Sequence, residues 1–418
     1  MVSLNSVLPL VIGIALMAYE NQVTVPTCEI LPDQFVHNSS SSDVSVMFVA
    51  DLFLLGSDTG YRNLFFTVPY MAKILRKSLL KLKPDMLIVL GDVSANGWKS
   101  ANKQWLSVLH QFQIMMGPFD EIPLHIVVGD KEVGGCHEMD RLIDRAVNSL
   151  PGLGSAACGS FSINNVSFVS LNALAMACDQ DNLRFVLERV IERESAELQQ
   201  ERKQDEMANN VEVPEEANSF RMCETSSSEE SSHHEQQFCW RQNDVLAGTG
   251  PVVLLHHPLY RTSDEACRNI DIPKCSLWNS QSHNCKKSWA STDLEVLKNE
   301  EYEQMVNVLS LNATEYILHA LKPRMVFTAH THRFCDRTHV DGTREITVPT
   351  MSWNLRDDPS FVVATFGRRN DAVTIQRCFL ARESHLLMAY ILVLISLFII
   401  IISFWLDTSS FSYWRRTS

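Results

Sequence analysis

No Cys-x-x-Cys pair occurs in this 418-residue chain, although it holds eleven cysteines. The commonest redox and zinc signature is therefore missing, and the scatter fits a few disulfides with at least one thiol left over in an oxidising compartment. Positive charge is also scarce. Lys and Arg total 36 against 49 Asp and Glu, a formal net charge of -13. That balance argues against a nucleic-acid partner, because phosphate backbones attract basic surfaces. The apolar stretch Val7 to Met17 lacks a basic flank and is short for a membrane span. Residues 1–20 read either as a cleaved signal peptide or as a short signal anchor, and both imply export.

What is present begins with a hydrophobic content of 45%, enough for a sizeable core in one large domain or two ordinary ones. From Leu386 to Leu406 the chain is uncharged and apolar, long enough to cross roughly 30 Å of hydrocarbon. Arg415 and Arg416 lie beyond this run, so residues 407–418 are expected in the cytosol and the body of the chain in the lumen. Arg377, Arg382 and Glu383 on the near side weaken that asymmetry. Three glycosylation sequons, at Asn38, Asn165 and Asn312, accord with a lumenal body.

Between the two apolar ends, buried-strand patterns alternate with helical ones. Val44–Ala50 ends at Asp51, Met86–Leu90 at Gly91-Asp92, and Pro123–Val128 at Gly129-Asp130. Helical spacing covers Val68–Leu82 and the neighbourhood of Trp105, giving an α/β sandwich with its site at the strand ends. Phe161–Leu171 alternates like a hairpin, and a helix is expected over Asp181–Gln200. Residues 201–242 are polar and acidic and bury too little apolar surface to order themselves, so they read as a disordered insertion whose His233 and His234 are solvated. Pro251–Leu255 is a fourth strand leading into His256. A loop with Cys267, Cys275 and Cys285 follows, then a helical stretch over Leu294–Leu321. The strand Met325–Thr328 leads to His330 and His332, and Ile346–Trp353 and Phe361–Phe366 close the sheet.

Asp51, Asp92, Asp130, His256, His330 and His332 each follow a buried strand. Any one of them is more often an ordinary strand-end residue, and a His-x-His pair alone is a weak signal. Together they form a carboxylate and imidazole set that suits Mn²⁺, Fe or Zn²⁺ rather than a thiolate metal. Paired ions of this kind promote in-line displacement at phosphorus.

The order Asp51…Gly91-Asp92…Gly129-Asp130…His256…Ala329-His330-Thr331-His332 resembles the calcineurin-like metallophosphoesterase pattern. Ala50-Asp51-Leu-Phe-Leu-Leu-Gly56, Leu255-His-His-Pro-Leu-Tyr-Arg261 followed by Ser263-Asp264, and Val348-Pro-Thr-Met-Ser-Trp353 with Pro359-Ser-Phe361 are similar to the metallophosphoesterase 1 family in particular. The resemblance implies a four-layer α/β/β/α sandwich over residues 44–380 with terminal membrane segments. It implies one divalent ion between Asp51, Asp92 and His332, and a second held by Asp92, Asp130, His256 and His330, with Mn²⁺ the expected metal. The implied activity is removal of ethanolamine phosphate from the glycan of GPI anchors in the endoplasmic reticulum, the ER-Golgi intermediate and the cis-Golgi. Its partners would be GPI-anchored proteins and the bilayer.

Three positions depart from the pattern. Phe53 stands where the family has a histidine ligand, and Lys131 where it has the histidine that protonates the leaving group, beside Asp130 in place of an asparagine. Ala329 replaces a glycine, which questions the local turn. Two functions follow. Either Lys131 acts as the acid, with a pKa lowered by neighbouring dications, or its ammonium neutralises the acidic cluster and the protein binds GPI-anchored cargo or a partner enzyme.

Overall fold

The computed structural model describes residues 4–31, 43–57, 59–119, 121–134, 136–177, 181–208, 221–222, 240–241, 248, 250–261, 267, 308–367 and 373–417. Helix α1 (Leu4–Val23) leads to strand β1 (Thr27–Ile30). Strand β2 (Val44–Val49), helix α2 (Val68–Leu82), β3 (Met86–Leu90), α3 (Asn102–Met116) and β4 (Leu124–Val127) form two strand–helix–strand units. A single turn, α4 (Asp130–Val133), and helix α5 (Cys136–Ser149) precede the hairpin β5 (Gly159–Ile163) and β6 (Val166–Ser170). Then come α6 (Ala173–Ala177), α7 (Asp181–Ala208), the two-residue strands β7 (Arg221–Met222) and β8 (Trp240–Arg241), and β9 (Val252–Leu254). The chain closes with α8 (Leu311–Leu321), β10 (Met325–Thr328), β11 (Cys335–Thr338), β12 (Arg344–Thr347), β13 (Ser360–Phe366), β14 (Val373–Phe379) and the long α9 (Glu383–Thr417).

Two six-stranded sheets result, in the orders β1-β14-β13-β2-β3-β4 and β11-β12-β10-β9-β6-β5. The first is parallel across β2, β3 and β4, and the second across β6, β9, β10 and β12. Alternate side chains decide the layering. Val46, Phe48, Ile88 and Leu90 of the first sheet meet Val252, Leu254 and Phe327 of the second in one core, with Phe48 and Phe327 stacked at 3.9 Å. Their neighbours point outward: Met47, Val49, Leu87 and Val89 pack on α2, α3 and α5, and Val169, Val253 and Val326 pack on α7 and α8. Helices thus cover both outer faces, which is why strands such as MLIVL are apolar throughout. The chain is a mixed α/β protein of two facing sheets. Among the described residues one helix, over Glu383–Trp405, is long and apolar enough to cross a membrane.

Several expectations need correction. Helix α7 runs on through residues 201–208, because the sequence ERKQDEMA is rich in helix-favouring residue types. Residues 221–222 and 240–241 pair as antiparallel strands, and the remainder of the acidic insertion, with His233 and His234, lies outside the described residues. The strand expected over Ile346–Trp353 is instead Arg344–Thr347; from Val348 the chain turns across the strand ends, touching the first sheet at Ala50↔Thr350. The helix expected from Leu294 is described only over Leu311–Leu321. Asn38, Ser263, Asp264, Cys275 and Cys285 also lie outside the described residues. Cys267 is bonded to Cys335 and Cys28 to Cys378, while Cys158 is a buried free thiol.

Candidate metal centre

All six predicted ligands lie at the carboxyl ends of parallel strands. Asp51 follows β2, Asp92 follows β3, and Asp130 opens the turn after β4. His256 follows β9, and His330 and His332 follow β10. The two sheets bring these ends together, the arrangement expected of an α/β crevice.

The backbone there is unusual. Asp51, Phe53, Asp92, His330 and His332 all have left-handed φ, between 49° and 65°. For residues with a Cβ this costs about 1–3 kcal/mol each, so surrounding contacts must impose it. Gly91, at φ 81°, is needed as glycine: a Cβ would stand 2.5 Å from His256 Nδ1 and 2.9 Å from the Gly129 Cα. Ala329 is fully buried and not among the residues with positive φ. The left-handed turn falls on its histidine neighbours, and alanine is accommodated.

Four of these residues form one tight group. Single donor atoms of Asp92, Asp130, His256 and His330 all lie within 4.8 Å of one another. Asp130 Oδ1 is 3.2 Å from both His256 Nε2 and His330 Nδ1. His256 Nε2 is 3.5 Å from Asp92 Oδ1. The other nitrogen, Nδ1, donates to the Leu90 carbonyl at 2.7 Å, which fixes the tautomer and leaves Nε2 available to the cluster. Burial alone would raise the Asp130 carboxyl, but hydrogen bonds from His256 and His330 hold it well below the usual carboxylate range. Burial likewise works against a charged His256, and the Asp92 charge, with hydrogen bonds donated to Asp130 and Asp92, overturns it and raises its pKa.

Asp51 and His332 stand slightly apart, paired through Oδ2 and Nδ1 at 2.9 Å. Phe53 presents its ring edge-on to His332, 5.5 Å between centroids, and offers no donor. Lys131 lies inside the centre. Its backbone N–H donates to Asp92 Oδ1 at 3.0 Å, and its ammonium bonds Asp130 Oδ2 and lies 3.9 Å from Asp92 Oδ2. Burial would lower its pKa, but the Asp92 and Asp130 charges raise it. Facing these carboxylates with no ion between them, the lysine is a weaker acid than usual.

Some contributors were not anticipated from the sequence. Glu132 is 1% exposed and accepts backbone N–H groups from Asp92, Ser94 and Gly129 at 3.0, 2.9 and 2.9 Å, tying the ends of β3 and β4. Burial and the Asp92 charge push its carboxyl up to about 8. A carboxylate two residues after Asp130 was its only signal. His257 is buried, its ring 4.2 Å from that of His330, and burial followed by the charges of His330 and His256 keeps it neutral. Asn354 donates to the Phe53 carbonyl and Arg356 to that of His332, so the 352–356 turn braces both.

The donor set fits a divalent ion. It joins carboxylates to imidazoles, and two buried oxygens within it, Asp51 Oδ1 and Asp92 Oδ2, have no hydrogen-bond partner, as metal ligands require.

No family model matches the chain. It is similar to Metallophosphoesterase 1 of Rattus norvegicus, 27% identical over 348 residues, covering 83% of this chain and 74% of that protein. Metallophosphoesterase 1 of Xenopus laevis is 28% identical over 360 residues, covering 85% and 77%. That of Danio rerio is 27% identical over 353 residues, covering 84% and 78%. Among solved structures, a dimetal phosphatase from Danio rerio aligns with 77% of this chain and 92% of its own, at 13% identity and a TM-score of 0.35, too loose a match to carry weight. The sequence relatives, together with the ordered acids and histidines, support a likeness to the calcineurin-like metallophosphoesterase family.

Proposed function

We propose that the chain is a membrane-bound, metal-dependent phosphodiesterase of the early secretory pathway that removes ethanolamine phosphate from the glycan of GPI anchors. One observation carries the hydrolase reading: the donor atoms of Asp92, Asp130, His256 and His330 converge within 4.8 Å, on backbone whose strain would have no use in an inert fold. The relatives named Metallophosphoesterase 1 support the GPI reading through the family resemblance. The apolar helix over Glu383–Trp405 supports a span with residues 44–380 lumenal and 407–418 cytosolic.

Asp92, Asp130, His256 and His330 would hold the ion, Mn²⁺ on this reading, and Asp51 and His332 would share a second with Asp92. A divalent ion supplies Lewis-acid chemistry and an activated water for displacement at phosphorus. The rest is positioning by the chain. The Leu90 carbonyl orients His256, Glu132 fixes the Asp92 and Asp130 turns, and residues 354 and 356 brace Phe53 and His332. Lys131, bonded to Asp130 at the edge of this group, would be the residue to protonate a departing alkoxide, a role worth about 10²–10⁴ in rate for a well-matched acid.

A second reading is favoured by Lys131 itself. Its ammonium already satisfies Asp130, and Phe53 has withdrawn a ligand from His332's side. A binding protein for GPI-anchored cargo would show this pairing. The discriminating experiment incubates the full chain in detergent micelles, with Mn²⁺, with a GPI glycan bearing ethanolamine phosphate. Release abolished by Asp130→Asn and His256→Ala supports the phosphodiesterase. Glycan binding without release at any Mn²⁺ concentration supports the second reading.

A further inference from the structure

An exposed aromatic patch lies beside the apolar C-terminal helix. Tyr61 is 85%, Phe65 71% and Leu64 44% exposed, on the π-type turn entering α2, and the Tyr61 and Phe65 rings stack at 6.2 Å. Their sequence neighbours grip α9. Arg62 forms an ion pair with Glu383, the Phe66 ring lies 6.3 Å from that of Tyr390, and the Tyr70 and Tyr390 hydroxyls are hydrogen-bonded.

The exposure pattern of α9 locates where it leaves the protein. Glu383 and Leu386 are fully buried, whereas Met388, Ile391 and Leu392 are exposed. Helix α9 therefore emerges near Tyr390, and residues 61–70 run beside its last buried turns. At a rise of 1.5 Å per residue, Glu383 and Tyr390 are about 10 Å apart along the axis, somewhat more than the headgroup layer of one leaflet, about 5–8 Å deep. Helix α1 emerges at the same level: Glu20 accepts from Tyr390 and Lys73, and Leu10, Ile14 and Met17 beyond it are exposed.

We propose that Tyr61, Leu64 and Phe65 form a membrane-contacting patch that enters the headgroup region of the leaflet crossed by α9 and seats the domain on the bilayer. The inference rests on the reading of Glu383–Trp405 as a span. Amphipathic rings favour this zone because their faces are apolar and their edges tolerate water. The patch is also linked to the metal centre. Phe66 stacks on Trp353 at 5.8 Å, in the same 352–356 turn that holds the Phe53 and His332 carbonyls. A seated domain presents its strand ends close to the lipid surface.

The test uses the full chain in phosphatidylcholine vesicles, labelled with an environment-sensitive fluorophore at Phe65→Cys, at Ile399→Cys in the span, or at Val340→Cys, which is 97% exposed on the edge of the far sheet. Lipids carrying a nitroxide near the headgroup or deep in the acyl chain serve as quenchers. The expected result is at least twofold quenching of the residue 65 label by the shallow nitroxide and of the residue 399 label by the deep one, with the residue 340 label unaffected. Quenching at 399 with 65 behaving like 340 leaves the span standing and overturns the patch. Absence of quenching at 399 removes the span reading and the proposal with it. None of these outcomes depends on hydrolysis.

Discussion

The Lys131 ammonium lies 3.9 Å from Asp92 Oδ2, against an oxygen that is buried and has no hydrogen-bond partner. Asp92 is the carboxylate common to both expected ion positions, so a fixed positive charge here competes with a cation. Phe53 removes a donor from the same side. Lys131 also bonds Asp130, so its charge bears on both expected positions, while Phe53 bears on one; the donor atoms of Asp92, Asp130, His256 and His330 still converge.

Restoring both residues should reverse this. Phe53→His combined with Lys131→His is expected to add a second bound ion and to raise phosphodiesterase activity by about 10²-fold, the lower range for a general acid. Metal content and hydrolysis are measured on the same preparation. No gain in either would show that these residues are not what limits the site.

Glu132 should behave as a positioning residue. Glu132→Gln turns one of its acceptor oxygens into a donor facing a backbone N–H, costing about 1–3 kcal/mol and weakening metal binding about 10–100-fold, as loss of supporting contacts does. Calorimetric titration with Mn²⁺ reads the affinity. Unchanged affinity in a folded variant would exclude the role.

A separate buried network predicts a pH response of stability. Glu345 is fully buried and accepts from Arg337, His339, Thr328 and the Leu259 N–H. Burial opposes its charge, yet the His339 hydrogen bond and Arg337 lower its pKa to about 2, from 4.5. The stabilisation is therefore complete above pH 4.5 and lost as pH falls toward 2, worth about 3 kcal/mol at 1.36 kcal/mol per unit. Denaturant unfolding at pH 7 should show Glu345→Gln destabilised by a similar amount, with the gap to the parent closing at acid pH. A gap that stays constant down to pH 3 would contradict the assignment.

Asn165 sits exposed in the β5–β6 turn. A lumenal body predicts that it is glycosylated, so endoglycosidase treatment should shift the parent chain and shift Asn165→Gln by one glycan less. Identical shifts would count against a lumenal turn.

Much of the site was legible because strands buried on both faces read as continuous apolar runs: β3 and β10 match their expected limits residue for residue, as does α2. The residues just beyond such runs are the candidate ligands. What stayed hidden had mixed signals. In β14 the pattern is broken by Arg377, which buries itself by lying over the Phe334 and Phe379 rings at 4.9 and 4.5 Å. Helix α5 shows Met139, Leu142, Ile143 and Ala146 on one buried face but lies amid charged residues. Glu132, Asn354 and Arg356 contribute by binding backbone N–H and carbonyl groups of the site loops, a role that their spacing in the sequence does not announce.

The most direct measurement is the divalent metal content of the purified full chain by mass spectrometry, beside Asp130→Asn and His256→Ala. The account predicts at least one ion per chain, lost in both variants while the fold persists, because those residues belong to the four-donor group. A folded parent chain that binds no divalent ion at millimolar Mn²⁺ would contradict it, and the acids and histidines would then be serving Lys131 rather than a metal.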